Sequence, residues 1–232
     1  LFMSLFGSAL VFIGLLFILF YGGMDGFTYG GVFNADENRN LLRIAYLVCF
    51  IGFGVKAAVW PLHVWLPDAA VAPTPVTALL HAVAVVKAGV FGIIRITYFS
   101  FGIELLSGSF AQYAVMGIAL FTILFGSTTA LREPHLKRRL AYSTVSNLSY
   151  ILFAASLCSP AGLAAALVHM VAHSVTKICA FFCVGSVVER SGREYIQDIG
   201  GLAKKMPVTF AAFTFSALSI IGIPPFCGFI GK

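Results

Sequence analysis

Charge is what this sequence has least of. Its 232 residues include only 15 Lys+Arg and 9 Asp+Glu, about 10% of the chain. Soluble folds carry about 25% charged residues, so a water-facing surface cannot be assembled from this composition. That excludes an ordinary cytosolic enzyme, a coiled coil and a disordered chain. The formal excess of +6 does not signal nucleic acid, because the basic residues are too few and too scattered to make a patch. Cysteine patterning is also missing. The five cysteines, Cys49, Cys158, Cys179, Cys183 and Cys227, form no CxxC pair. We therefore expect neither a disulfide framework nor an iron–sulfur or zinc site, and read Cys179 and Cys183 as small apolar packing on one helix face. The run GGMDGFTYGG has no strand before it and no Lys-Ser/Thr after it, so it is no phosphate cradle. Residues 1–21 lack a basic start and a cleavage motif, which favours a spanning helix over a signal peptide. No cofactor and no metal are expected on this chain.

What is present is hydrocarbon-compatible surface: 59% hydrophobic residues, 23 Phe and a mean hydropathy of +0.96. At about 20 apolar residues per span, the length allows six or seven membrane helices. We expect an all-α polytopic transmembrane helical bundle of about seven spans. They are placed at Leu1–Tyr21, Leu41–Val59, Val76–Phe99, Phe110–Leu131, Leu136–Leu157, Ala161–Glu189 and from Pro207 to Ile223. Leu1 already lies in an apolar run, so we expect a piece of a longer protein, forming one transmembrane domain over 1–232. Two spans should be discontinuous. WPLHVWLPDAAVAPTP carries four prolines, with Pro61 closing the second span, a short helical piece around Leu62–Leu66, and Pro75 opening the third. Pro224 and Pro225 break the seventh.

Loop charges give an orientation. If the loops after spans two, four and six share one side, that side holds Arg132, Lys137, Arg138, Arg139, Arg190, Arg193, Lys204 and Lys205, against Arg39 and Arg43 opposite. The positive-inside rule places the first side in the cytoplasm.

Within the apolar segments stand Lys56, His81, Lys87, His169, His173 and Lys177, with Lys232 just past the second break. A lysine at the centre of a membrane helix costs at least about 2.5–3.5 kcal/mol. Snorkelling to the interface relieves this for Arg95 and is open to Lys87. It fails for Lys177, which lies deep in its helix. His169, His173 and Lys177 recur at i, i+4 and i+8, lining one stripe about 12 Å long. Histidine changes charge near neutral pH, so the stripe is a ladder able to hold and pass protons. The bland alternative is a set of core histidines bonded to backbone carbonyls. Metal binding is disfavoured because no Asp, Glu or Cys shares the stripe. A second stripe, Tyr142, Ser143, Ser146, Asn147 and Tyr150, either lines water beside the ladder or glues helices together. No Asp or Glu falls inside any span, so the buried lysines need an acidic partner elsewhere. Lysines beside broken helices are the pattern of ion sites in inverted-repeat transporters.

Four segments then carry a resemblance: KAAVWPLHVWLPDAAVAPTPVTALLHAVAVVKAGVFGIIR, LKRRLAYSTVSNLSYI, HMVAHSVTKICAFFCVGSV and LSIIGIPPFCGFIGK. In this order they resemble the proton-translocating antiporter-like family. It comprises the large membrane-arm subunits of respiratory complex I, the large Mrp-type cation/proton antiporter subunits and the membrane subunits of energy-converting hydrogenases. The likeness covers Val48–Lys232. It implies an inverted-repeat fold, with the end of the first repeat over about 1–100 and the start of the second over about 110–232. It further implies that Lys56 is the lysine of the first broken helix, paired with a glutamate on an earlier helix. His81 and Lys87 connect the first half-channel to the centre, and Lys177 with His169 and His173 is the central group. Lys232 is the charged residue of the second broken helix. Glu133 and His135 flank a turn where members often have Asp, a departure expected to matter little.

The function so implied is proton translocation through a Lys/His relay, in a redox-driven pumping complex of the NADH:quinone oxidoreductase or hydrogenase type. The alternative is a subunit of an Mrp-type Na+/H+ antiporter. The expected partners are other membrane subunits, lipid, and protons, with Na+ as the alternative ion; nucleic acid is not one. The expected location is the inner membrane of a bacterium. A redox enzyme in its own right is disfavoured by the lack of Rossmann glycines, cysteine clusters and haem motifs. A structural scaffold would tolerate Leu at Lys56 and Lys177.

Overall fold

The computed structural model describes residues 2–28, 38–70, 72–229 and 231. All regular elements among them are helical, apart from one isolated antiparallel bridge between His135 and Tyr195. The helices are α1 (Phe2–Gly22), α2 (Arg39–Lys56), α3 (Trp65–Ala69), α4 (Thr74–Ala82), α5 (Val85–Arg95), α6 (Ile103–Leu106), α7 (Phe110–Arg132), α8 (Leu136–Ser156), α9 (Pro160–Ser191) and α10 (Pro207–Ile221). A π-helical turn, Ile96–Ser100, extends α5.

A helix lies in each of the seven expected segments, the third being split into α4 and α5. By length and composition, four helical stretches among the described residues can cross a membrane: Phe2–Gly22, Thr74–Ser100, Phe110–Arg132 and Pro160–Ser191, with the shorter apolar Pro207–Ile221 besides. Helix α8 falls outside this set because its Ser, Thr, Asn and Arg lower its apolarity, although its interior is buried.

Sequence sets the ends of the long helices. Ser159 caps α9 by accepting from the Gly162 N–H at 3.1 Å, Pro160 occupies the first turn, and the helix closes on Gly192 in the left-handed region. Ser109 caps α7 in the same way through the Gln112 N–H.

The core is a layer of helices in which α8 packs between α7 and α9, α9 contacts α4 and α10, and α5 lies against α2 and α8. The segment from α4 to α5 runs antiparallel to α9. Thr74 lies against Gly185, the His81 ring is 5.1 Å from the Phe181 ring, and Lys87 meets His173.

The loops sort by end. At one end, the Leu136 N–H donates to Glu194 O (2.9 Å), the Ile196 N–H donates to Pro134 O (3.0 Å), and Lys137 Nζ reaches Ala72 O (3.4 Å). At the other, Arg43 donates to Leu105 O (3.2 Å) and Gln112 to Ser156 O (2.9 Å). The basic residues around 132–139 and 190–193 therefore share one end, as the alternation of spans requires.

The breaks differ from expectation in detail. Helix α2 stops at Lys56, ahead of Pro61, and Ala58 takes a positive φ of 55°. The freed carbonyls are re-used: the Trp65 indole N–H donates to Val55 O at 2.7 Å, and the Val59 N–H donates to Gly54 O at 2.9 Å. The short helical piece is Trp65–Ala69, not Leu62–Leu66, which falls mostly in turns. Helix α10 ends on Gly222, with φ +86°, before Pro224 and Pro225. Its 15 residues give about 22 Å, short of a hydrocarbon core of about 30 Å.

A third break was not expected. The span Val76–Phe99, read as continuous, is interrupted at Val83 and Ala84. There the Ala84 N–H donates back to Leu79 O at 3.0 Å, which widens the turn before α5 begins.

Candidate functional site

Helix α9 supplies the spine of the site. His169, His173 and Lys177 are all buried, with Lys177 fully enclosed. The two imidazole rings are 6.2 Å apart, and Tyr150 of α8 approaches His169 with ring centres 6.4 Å apart. The i, i+4, i+8 stripe is thus a real row facing α8, α4 and α5.

Helix α5 supplies the closest partner. Lys87 Nζ lies 2.6 Å from His173 Nδ1. With the lysine charged, it donates and Nδ1 accepts, so a neutral His173 carries its ring proton on Nε2. Lys87 is buried, and its ammonium is engaged inside the bundle, so snorkelling is excluded.

Lys177 is held by α8. Its Nζ donates to Leu140 O at 3.0 Å and to the Ser143 hydroxyl. The Asn147 amide donates to Ser143 O at 2.7 Å, and the Ser146 hydroxyl pairs with Ser127 of α7 at 2.8 Å. Of the two parts weighed from sequence, the joining of helices is seen at Ser146, which ties α8 to α7, while Ser143 receives the Lys177 ammonium.

His81, from the last turn of α4, is completely buried and lies within electrostatic reach of Lys177. Neither of its ring nitrogens has a hydrogen-bond partner among the described residues. A buried imidazole without partners is costly.

The other predicted residues are placed differently. Lys56 ends α2 and is exposed. Its backbone abuts α5 at Gly89, where a Cβ would come within 2.8 Å of Lys56 Cβ and 2.6 Å of Ala57 N. Only glycine permits that approach, two residues past Lys87. Gly231, beyond the second break, lies against His169, where an added Cβ would meet Nδ1 at 2.8 Å. Chain after the second break thus returns to the ladder. Lys232 itself lies outside the described residues.

Sequence reasoning passed over His63. It is buried in the turn region after α2, its ring 4.9 Å from Phe125 and 6.3 Å from Tyr142, with Nδ1 lacking a partner among the described residues. A histidine in a proline-rich apolar stretch was the available signal. His135, expected to be inconsequential, pairs with Glu194 at 3.2 Å and ties two loops together.

Among the described residues, no group of three or more His, Cys, Asp or Glu is arranged to hold a metal ion. All five cysteines are free thiols.

The whole chain, residues 1–232, matches the family described as NADH:quinone oxidoreductase/Mrp antiporter, transmembrane. The chain belongs to that family of membrane proteins. Among curated relatives, NADH-quinone oxidoreductase subunit L of Mycobacterium tuberculosis is 39% identical over 208 residues, covering 88% of this chain and 32% of the relative. A Na(+)/H(+) antiporter subunit of Alkalihalophilus pseudofirmus is 35% identical over 234 residues, covering 93% and 28%. The chain thus spans about a third or less of these relatives' length. Two solved structures share the fold. One is the Mrp complex from Dietzia sp., with TM-score 0.87 and 29% identity over 99% of this chain and 42% of that one. The other is the membrane-bound sulfane sulfur reductase, described as an archaeal respiratory membrane complex, with TM-score 0.85 and 28% identity over 99% and 47%.

Proposed function

We propose that this chain translocates protons across a membrane as a subunit of a redox-driven pumping complex of the NADH:quinone oxidoreductase or hydrogenase type. The observation that carries the reading is the Lys87–His173 contact of 2.6 Å, made by buried side chains from two different helices. At that separation one proton passes between the two nitrogens without either side chain changing rotamer.

The relay has Lys87 and His81 on its α4–α5 side, His169, His173 and Lys177 along α9, and Lys56 and Lys232 at the two helix breaks. A proton arriving near Lys56 or Lys87 moves along the row to Lys177 and leaves past Lys232. Lys177 holds its proton against the Ser143 hydroxyl and Leu140 O, ready acceptors for an ammonium. A carboxylate from a neighbouring segment or subunit balances Lys56, whose side chain is exposed. Two proline-bearing breaks, after α2 and after α10, support a division into two repeats over about 1–100 and 110–232. The basic end faces the cytoplasm, and the membrane is the inner membrane of a bacterium. The partners are other membrane subunits of the same complex, and redox centres reside on those partners, with no cofactor on this chain.

The test is Lys177→Ala in the assembled complex in sealed vesicles. Proton uptake per electron transferred should fall at least ten-fold; unchanged uptake with unchanged electron transfer removes Lys177 from the relay. A second reading, membership of an Mrp-type Na+/H+ antiporter, is favoured by the antiporter relative and the Mrp structure. Na+ movement driven by an imposed pH step, without any electron donor, separates the two.

A further inference from the structure

Helix α9 carries chemistry on a second face. Lys177 is turned toward α8, but Cys179 and Cys183 lie on the side turned toward α10. The Cys179 thiol approaches Ala212 O of α10 at 3.8 Å, and three residues earlier the Ser216 hydroxyl of α10 donates to Thr176 O at 2.6 Å. Cys183 is 9% exposed. It lines a cavity of about 30 Å³ with Leu136, Val187, Ile199, Thr209 and Phe213. Ile199 belongs to the loop after α9, and Thr209 to the first turn of α10, so the cavity lies toward the basic end. Both cysteines are free thiols, and they lie within hydrogen-bonding reach of one another.

Their spacing decides what they can hold. Residues i and i+4 of a helix keep their Cβ atoms about 5–6 Å apart. A disulfide needs about 3.5–4.5 Å, so these sulfurs do not join unless the backbone of α9 moves. A metal atom between them closes the gap, adding two bonds of about 2.3 Å each if zinc thiolates are the guide. Zinc itself wants four ligands, and among the described residues no group of three or more His, Cys, Asp or Glu is arranged to hold a metal ion. The side chains lining the cavity include no carboxylate, which leaves Mg2+ and Ca2+ without their usual ligands. Two thiolates alone suit a soft ion that accepts two-fold coordination, such as Cu(I) or Ag(I).

We propose that Cys179 and Cys183 form a two-coordinate site for a soft monovalent metal ion, reached from the basic end through the cavity beside Cys183. The ion forms one bond to each sulfur, both S–H bonds break, and the two protons leave to solvent. No atom changes oxidation state. With the ion in place, one turn of α9 is stapled on its α10 side, and the Cys179 thiol no longer donates to Ala212 O. The site is separate from the Lys/His row and stands whether or not that row carries protons.

For the test, every cysteine of the full-length chain other than these two is replaced by alanine, and the purified protein is titrated with Cu(I) against a chromophoric chelator. One Cu(I) per chain should bind, with X-ray absorption showing two sulfur neighbours, and Zn2+ should not compete. Cys179→Ser and Cys183→Ser should each weaken binding at least a hundred-fold while their metal-free melting midpoints stay at the parent value. Binding no tighter than in the Cys179→Ser/Cys183→Ser double variant overturns the site. Parent-like affinity in either single variant does the same, since the ion then sits elsewhere. A mass loss of two hydrogens on mild oxidation would show a disulfide pair and overturn the metal-bridged geometry.

Discussion

A lysine and a histidine 86 residues apart in sequence meet at 2.6 Å inside an apolar bundle. Nothing in the spacing of Lys87 announces this, since the i, i+4, i+8 rule sees only one helix at a time. It found His169, His173 and Lys177 because they share α9. It could not choose between an interface-seeking Lys87 and an inward one, because the stem reaches either way until α9 is in place. The consequence can be checked at this one residue. Lys87→Met keeps most of the stem volume and removes the charge, whose placement in hydrocarbon costs at least about 2.5–3.5 kcal/mol. The thermal midpoint of the solubilised complex should therefore hold or rise while translocation falls at least ten-fold. A variant that loses stability and keeps translocation would show that Lys87 only supports the fold.

At the scale of the element, the informative feature is the break between α4 and α5. In an unbroken helix, residues six apart point about 120° away from one another, so His81 and Lys87 could not both face α9. The interruption at Val83 and Ala84 resets the rotation, placing His81 by Lys177 and Phe181 and Lys87 on His173. Proline marks the other two breaks, so they were legible. This one contains Val and Ala, which no local rule flags, and it holds because α9 packs against both halves. Close packing of α2 on α5 gives an element-level prediction. Gly89→Leu places a side chain against Ala57 N and Lys56 Cβ and should cost about 1–3 kcal/mol through overpacking, read as a lower melting midpoint. An unchanged midpoint would mean the two helices separate freely there.

For the whole molecule, the sorting of loops matters more than any single contact. Backbone bonds from Leu136 to Glu194 and from Ile196 to Pro134 clamp the α7–α8 turn to the end of α9, holding basic residues of both loops at one end. The His135–Glu194 pair lies on the same clamp, with side chains 19% and 49% exposed. Exposed pairs contribute about 0–1 kcal/mol. Glu194→Gln should thus shift stability by less than about 1 kcal/mol and leave the orientation of the chain unchanged. A larger loss in a melting experiment would show that the side chains, not the backbone, carry the clamp.

Composition and periodicity by themselves determined the membrane class, the all-helical architecture, the basic end and the α9 stripe. All of these follow from solvent and local geometry: apolar length, charge placement and a 3.6-residue repeat. Tertiary structure alone decided that Lys87 joins His173, that Lys177 is received by Ser143 and Leu140 O, and that α4 and α5 separate without a proline. Those outcomes depend on which helices become neighbours. That choice is made by the packing of whole faces, and the interaction partners it creates lie tens of residues apart along the chain.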